Sequence, residues 1–198
     1  MTRKLPRSFY SRPTLRVARD LLGKYFIRRA GRFVFVGKIV EVEAYRGSID
    51  PASHAYRGKT PRNEVMFGEA GHLYVYFTYG MHFCANVVTE RPGKAGAVLL
   101  RAVEPIRGLE RMKLNRTTKG RSLDLFQLTN GPAKFCQAFS IVRNDNGTDL
   151  LGDRIYITEG EPVVDSEVSR SQRVGIRTGR DKKWRYFVKG NPWVSLGQ

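Results

Sequence analysis

The chain has 198 residues, 41% of them hydrophobic, and a formal net charge of +17 from 35 Lys and Arg against 18 Asp and Glu. That length suits one domain, and that apolar content excludes a disordered chain. The charge speaks about partners, not fold: phosphate backbones are the commonest partner for such a surface, with anionic membrane second. Cys84 and Cys136 lie far apart in apolar segments, which suits buried free thiols of a reducing compartment better than a disulfide or zinc site. No apolar run reaches the ~18 residues of a membrane span, and the first residues lack the apolar core of a signal peptide. The expected location is cytoplasmic and nucleoid-associated in a bacterium, nuclear in a eukaryote.

In chain order, residues 1–12 form a basic arm. Pro13 suits the first turn of a helix and Gly23 its end, with Leu15, Ala18, Leu21 and Leu22 on the apolar side. Strands are predicted over 24–29 and 32–36 and, after an interruption at Gly37, over 38–45. Residues 47–71 have no clear period and contain Asp50-Pro51, Gly58, Pro61 and Gly68. They read as a long loop with at most short helices, and a loop that long in a compact domain is usually functional. Leu73, Val75 and Phe77 then alternate with Tyr74, Tyr76 and Thr78; Tyr79-Gly80-Met81-His82 breaks the pattern and 83–88 resume it. That is a hairpin with an aromatic ring at its tip. On so cationic a protein, the ring suggests a wedge for a nucleic-acid stack. Taken alone, the motif is explained more simply by a core tyrosine near a strand end. Residues 97–103 make an apolar strand containing Arg101. Pro105 opens a predicted helix bearing Ile106, Leu109 and Met112, and 113–121 form a basic connection. Asn130-Gly131-Pro132 starts another helix with Phe135 and Phe139 on one side. Late strands are predicted over 153–158 and 184–188, with a basic stretch between them holding Arg170, Arg173, Arg177, Arg180, Lys182 and Lys183. No internal repeat and no change of composition marks a domain boundary, so 1–198 is expected to be a single domain.

Two segments could carry chemistry. In 38–45, a period of two puts Val40, Val42 and Ala44 on one face and Glu41, Glu43 and Tyr45 on the other. Two carboxylates on one strand face are a solvated face paired with Lys or Arg, or else a general base or metal ligand at a site. Asp50 and His54 could add ligands, but no tight metal spacing is present. Arg101, inside an apolar strand, either snorkels at an edge or pairs with a buried anion, for which Glu43 is a natural partner. The chain has no Gly-rich phosphate cradle, nucleophile elbow or Cys–His signature.

Taken together, Glu41-Val-Glu-Ala-Tyr45, Thr60-Pro-Arg-Asn63 with Met66-Phe67, Tyr74-Val-Tyr-Phe-Thr-Tyr-Gly-Met81, Leu99-Leu-Arg-Ala102, Gly131-Pro132 and Asn191-Pro-Trp-Val-Ser195 resemble the alkyladenine, or methylpurine, DNA glycosylases. The blocks run in order from about Leu21 to Ser195. The resemblance implies a single mixed α/β (α+β) domain around a curved antiparallel sheet, with a protruding hairpin and flanking helices, and no metal or cofactor. It implies a monofunctional enzyme that flips alkylated or deaminated purines from duplex DNA and hydrolyses their glycosidic bond. By position, Tyr79 would be the wedge, with Met81 beside it in the DNA. Tyr45, His54 and Tyr76 would wall the base pocket, and Asn86 would clash with the exocyclic amino group of guanine. Glu43 would deprotonate the attacking water, which Arg101 and the carbonyl of Val174 would help to hold. Glu41 would have a supporting role. The partner would be duplex DNA with a damaged purine, met by a monomer without membrane or obligate protein partner. Where the family often has an aromatic after the Gly-Met, this chain has His82, expected to affect backbone contacts and not the reaction. Two other readings remain at this point: a non-enzymatic nucleic-acid binder using the same wedge and charge, and a metal-dependent nuclease built on Glu41, Glu43 and Asp50.

Overall fold

A computed structural model describes residues 3–78, 80–116 and 124–196. Tyr79 and part of the basic connection, 117–121, lie outside the described residues. The N-terminal arm is docked onto the fold. Lys4 bridges Thr158, the Leu5 amide donates to the Ile157 carbonyl at 2.9 Å, and Leu5 and Tyr10 are buried. Its helix α1 (Arg7–Tyr10) is followed by α2 (Thr14–Leu21), which buries Val17, Ala18 and Leu21. Glu90 caps the start of α2, accepting from the Thr14 amide at 2.9 Å and its hydroxyl at 3.0 Å. A carboxylate there satisfies unpaired amides and opposes the helix dipole.

Strands β1 (Tyr25–Ala30) and β2 (Phe33–Tyr45) form the next hairpin. Gly37 does not interrupt β2. It lies at one of three register shifts against β5 (Ala97–Arg107), the others falling between Ile39 and Glu41 and between Glu41 and Val42. Such bulges bend and twist a strand without ending it. Gly37 is required because Val103 and Phe139 pack onto its α-carbon: a Cβ there would lie 2.7 and 2.9 Å from them. Gly37→Ala is therefore expected to destabilise the protein by about 1–3 kcal/mol through overpacking, read as a lower urea midpoint at unchanged slope.

The open sheet runs β3 (Leu73–Thr78), β4 (His82–Val88), β5, β2, β1, β6 (Ile155–Thr158), antiparallel throughout. It forks at β2. The first half of that strand pairs with β1, whereas Glu41, Val42 and Glu43 pair with β8 (Arg185–Val188), which in turn carries β7 (Val168–Ser171). β7 was not foreseen, because four residues without apolar alternation become a strand only by pairing with β8. The fork also corrects the picture of a half-solvated β2. Val40, Glu41, Val42, Glu43 and Ala44 are all fully buried, since β5 and β8 flank them and both faces are covered.

Pro105 belongs to β5, not to a helix; it faces Gly37 at a register shift, where a missing ladder N–H is tolerated. The helix α3 begins later, at Leu109–Arg116. α4 (Pro132–Ala138) packs on β4 and β5, and Phe135 and Phe139 meet Phe26 with centroids 5.1 and 5.7 Å away. The β3–β4 hairpin projects because β4 pairs with β5 only over Asn86–Val88, leaving 82–85 without a paired strand on that side among the described residues. Its alternation therefore fades along its length: Leu73, Tyr74 and Val75 are buried, and Phe77 is exposed.

Candidate active site

The fork sets the two carboxylates of β2 between arginines of its neighbours. The Glu41 Oε1 accepts from Arg101 Nε on β5 and Arg185 Nε on β8, both at 2.7 Å, and from the Ser195 hydroxyl at 2.8 Å. Its Oε2 accepts from the Ser195 amide at 2.7 Å. Burial, the largest single influence, pushes the Glu41 carboxyl up, but Arg101, Arg185 and the Ser195 amide together outweigh it and leave the group below its usual value. Glu41 is thus a charged structural hub.

Glu43 is held differently. Its Oε1 lies 2.7 Å from the Val174 amide, which donates to it, and 3.2 Å from Arg101 Nη1; its Oε2 accepts from the Tyr45 hydroxyl at 2.8 Å. Two hydrogen bonds and one ion pair from the described residues leave at least one of a carboxylate's roughly four acceptor positions free among them. Burial raises the Glu43 carboxyl above the usual carboxylate range, against the opposing pull of Arg101, the Val174 amide and the Tyr45 hydroxyl. Arg101 serves both acids, with the shorter contact to Glu41 rather than to Glu43 as the strand alone suggested. The Val174 contact with Glu43 is made by its N–H, whereas the expected role lay with its carbonyl.

Tyr45, Arg101 and Val174, the three groups that hold Glu43, all line one cavity of about 500 Å³. His54, Tyr76 and Asn86 line it too, so residues distant in sequence and expected together do converge. The His54 and Tyr76 rings meet edge to face with centroids 4.6 Å apart, and His54 Nδ1 lies 3.0 Å from the Tyr74 hydroxyl. Burial, aided by Arg62, lowers the His54 value, so this imidazole is neutral at neutral pH. Asn86 is buried and donates to the Tyr74 carbonyl at 3.1 Å, which fixes its amide in the wall. Met81 lies away from this cavity. It is 69% exposed near the hairpin tip and lines a separate cleft with Phe83 and α4.

Several residues of the cavity and its supports were not assigned to the site from sequence. Tyr74 and Cys84 line the cavity, and burial pushes the Tyr74 hydroxyl up to about 12 and raises the Cys84 thiol, so both stay protonated. The wall is completed by Gly175, Ile176, Arg177 and Thr178, from a segment without regular structure. Ser195 had no assigned role, and Arg173 could not be told apart by charge from its solvated neighbours; only the fold reveals the carboxylate each one serves. Asp50, weighed as a metal ligand, is instead paired with Arg173 at 2.5 and 2.8 Å. Among the described residues, no group of three or more His, Cys, Asp or Glu is placed to hold a metal ion. Nor is any helix among them long and apolar enough to cross a membrane.

A buried carboxylate with a spare acceptor position, beside an aromatic cavity large enough for a nucleobase, can activate water against a bound planar group. The sequence of residues 8–192 matches the family model described as methylpurine-DNA glycosylase. The chain belongs to that family. A relative from Carboxydothermus hydrogenoformans is 51% identical over 192 residues, covering 96% of this chain and 98% of its own. Relatives from Clostridium acetobutylicum and Chlorobaculum tepidum are 47% and 46% identical, over 98% and 99% of this chain and 98% and 92% of theirs. All three carry the provisional name 3-methyladenine DNA glycosylase. Family membership makes the chain a hydrolase of N-glycosidic bonds in DNA, concerned with repair of alkylated bases. That sets aside the purely architectural binder. In this glycosylase Glu41 and Asp50, two of the three acids of the nuclease alternative, are committed to arginines.

Proposed function

We propose that the chain is a monofunctional glycosylase that flips alkylated or deaminated purines, of the 3-methyladenine, 7-methylguanine and hypoxanthine class, out of duplex DNA and leaves an abasic site. The observation that carries this reading is Glu43, held on both oxygens by groups of the cavity wall with one acceptor position spare. A water on that position gives its proton to Glu43 as its oxygen bonds to the sugar C1′, and the pair of electrons of the breaking C1′–N bond leaves with the base. A cationic alkylated purine departs neutral and needs no acid. The raised carboxyl suits this step, because a base works best when its value approaches the working pH.

Flipping costs a few kcal/mol, least for damaged pairs. The projecting hairpin offsets part of that cost by entering the stack, with Tyr79 as the wedge inferred from its sequence position and the exposed Met81 beside it. Tyr45, His54 and Tyr76 receive the base between rings. The enzyme acts as a monomer at the nucleoid, drawn to DNA by its +17 charge.

Asn86 supplies selectivity. Fixed in the wall by the Tyr74 carbonyl, its amide occupies the space that the 2-amino group of guanine would need. Hypoxanthine lacks that group and is admitted. Asn86→Ala is expected to raise excision of guanine from mispairs at least about tenfold relative to hypoxanthine, since relieving one steric clash amounts to about 1–3 kcal/mol. Single-turnover release of both bases from duplexes identical except at the target pair tests the assignment: a fixed ratio would show that guanine is excluded elsewhere, and no hypoxanthine release by the parent enzyme would remove deaminated purines from the proposed substrates.

A further inference from the structure

Asp50 and Arg173 take no part in the chemistry above, yet both side chains are fully buried beside it. The Arg173 guanidinium grips Asp50 through both terminal nitrogens, at 2.5 and 2.8 Å, and donates to the Ala44 carbonyl at 3.0 Å. Its face covers the Tyr45 ring with 4.6 Å to the centroid, and the Trp184 ring lies 5.2 Å away. Gly179 closes over the same pair: a Cβ there would sit 3.1 Å from Arg173 Nη2 and 3.5 Å from Asp50 Oδ1, and its φ of +66° favours glycine. Residues 174–178 therefore leave the ion pair at Arg173, line the base cavity, and return to it at Gly179.

Both ends of this arrangement reach Glu43. Val174, next to Arg173 in the chain, donates its N–H to one carboxylate oxygen, and Tyr45, under the guanidinium, donates its hydroxyl to the other. We propose that Asp50 and Arg173 are the positioning pair of the catalytic base, holding the Val174 amide and the Tyr45 hydroxyl on the two oxygens of Glu43. The inference rests on Glu43 as that base. A buried ion pair is a weak source of stability compared with apolar packing. A bidentate guanidinium stacked on a ring gives directional control that apolar packing and lysine do not.

The groups facing Glu43 are Glu41 and Tyr45 from β2, Tyr76 from β3, Cys84 from β4, Arg101 from β5 and the Val174 amide; Arg185 on β8 pairs opposite it in register but gives its side chain to Glu41. Of these, the Val174 amide and the Tyr45 hydroxyl are the two that the pair holds, and each stabilises the charged carboxylate. Loosening them raises the carboxyl further.

The test is single-turnover release of 7-methylguanine from a defined duplex across pH, by Asp50→Asn, Arg173→Lys and Glu43→Gln beside the parent. Asp50→Asn and Arg173→Lys are expected to release base about 10- to 100-fold more slowly, the scale of a misplaced catalytic group. The acid limb of their profile should move to higher pH, while reaction amplitude and affinity for an abasic duplex stay at the parent values. A merely structural pair would lower the amplitude or the melting temperature and leave the limb where it was; that result overturns the proposal. Arg173→Lys keeps the buried charge paired and carries the same prediction if Asp50→Asn folds poorly. Parent-like turnover by Glu43→Gln would overturn the assignment of the base and the pair's role with it. An inactive Glu43→Gln beside unchanged Asp50→Asn and Arg173→Lys would overturn the pair's role alone.

Discussion

Glu43→Gln is expected to lower base release by about 100- to 10,000-fold, the contribution of a positioned general base, while binding lesion-bearing duplex as tightly as the parent or more so. The amide has the shape of the carboxylate and can still accept from the Val174 N–H or the Tyr45 hydroxyl, so the cavity keeps its walls. What is lost is the proton acceptor and one negative charge near phosphate. The same substitution should not weaken the fold. A carboxyl whose folded value lies above its unfolded one loses stability as pH rises past the unfolded value, and burial raises Glu43 in this way. At neutral pH the Gln variant should melt at or above the parent temperature. A sharp loss of stability together with activity would mean that Glu43 is structural.

Glu41→Gln should do the opposite, with stability as the main loss. Its carboxylate is the shared counter-charge of Arg101 and Arg185 and accepts from both donors of Ser195. An amide cannot accept on its nitrogen; buried Arg185 loses its anion, and Arg101 loses the nearer of its two, keeping only Glu43. Breaking such a buried network costs about 3–5 kcal/mol. At roughly 2–4 °C per kcal/mol for a chain of this size, melting should fall by roughly 6–20 °C. The pH dependence follows from the lowered Glu41 carboxyl: its contribution is present above the unfolded value and is lost as pH falls through the lower folded one. The gap between parent and variant should therefore narrow in acid. A variant that melts like its parent would show that the two arginines are satisfied by other groups.

Much of this was legible in the sequence because it is local. The alternation of 38–45 marks a strand carrying two acids, and the broken alternation after Thr78 marks a hairpin. Gly131-Pro132 marks the start of α4. What the sequence hid is set by pairing between distant segments. Nothing within 38–45 distinguishes the hub Glu41 from the proposed base Glu43; the distinction comes from Arg185 and Ser195 on one acid and Val174 on the other. Arg173 lies in a run of cations where charge alone suggests solvent, and Arg185 opens the strand just after it, yet each is buried against a carboxylate. Pro105 imitated a helix start because a bulge in the partner strand is invisible in its own sequence. Of the expected site residues, Tyr45, His54, Tyr76, Asn86, Arg101 and Val174 converge on one cavity with Glu43 behind them, a placement on which their proposed roles depend.

Hydrolysis of a purine glycosidic bond is tested most directly by one measurement. The parent protein is incubated in chelator with a duplex holding a single alkylated purine, and the small-molecule products are separated from the strand. Free alkylated base is expected, with a strand that stays whole until alkali cleaves it at the abasic site. An intact lesion after complete binding, or strand scission appearing only when magnesium is restored, would contradict that hydrolysis.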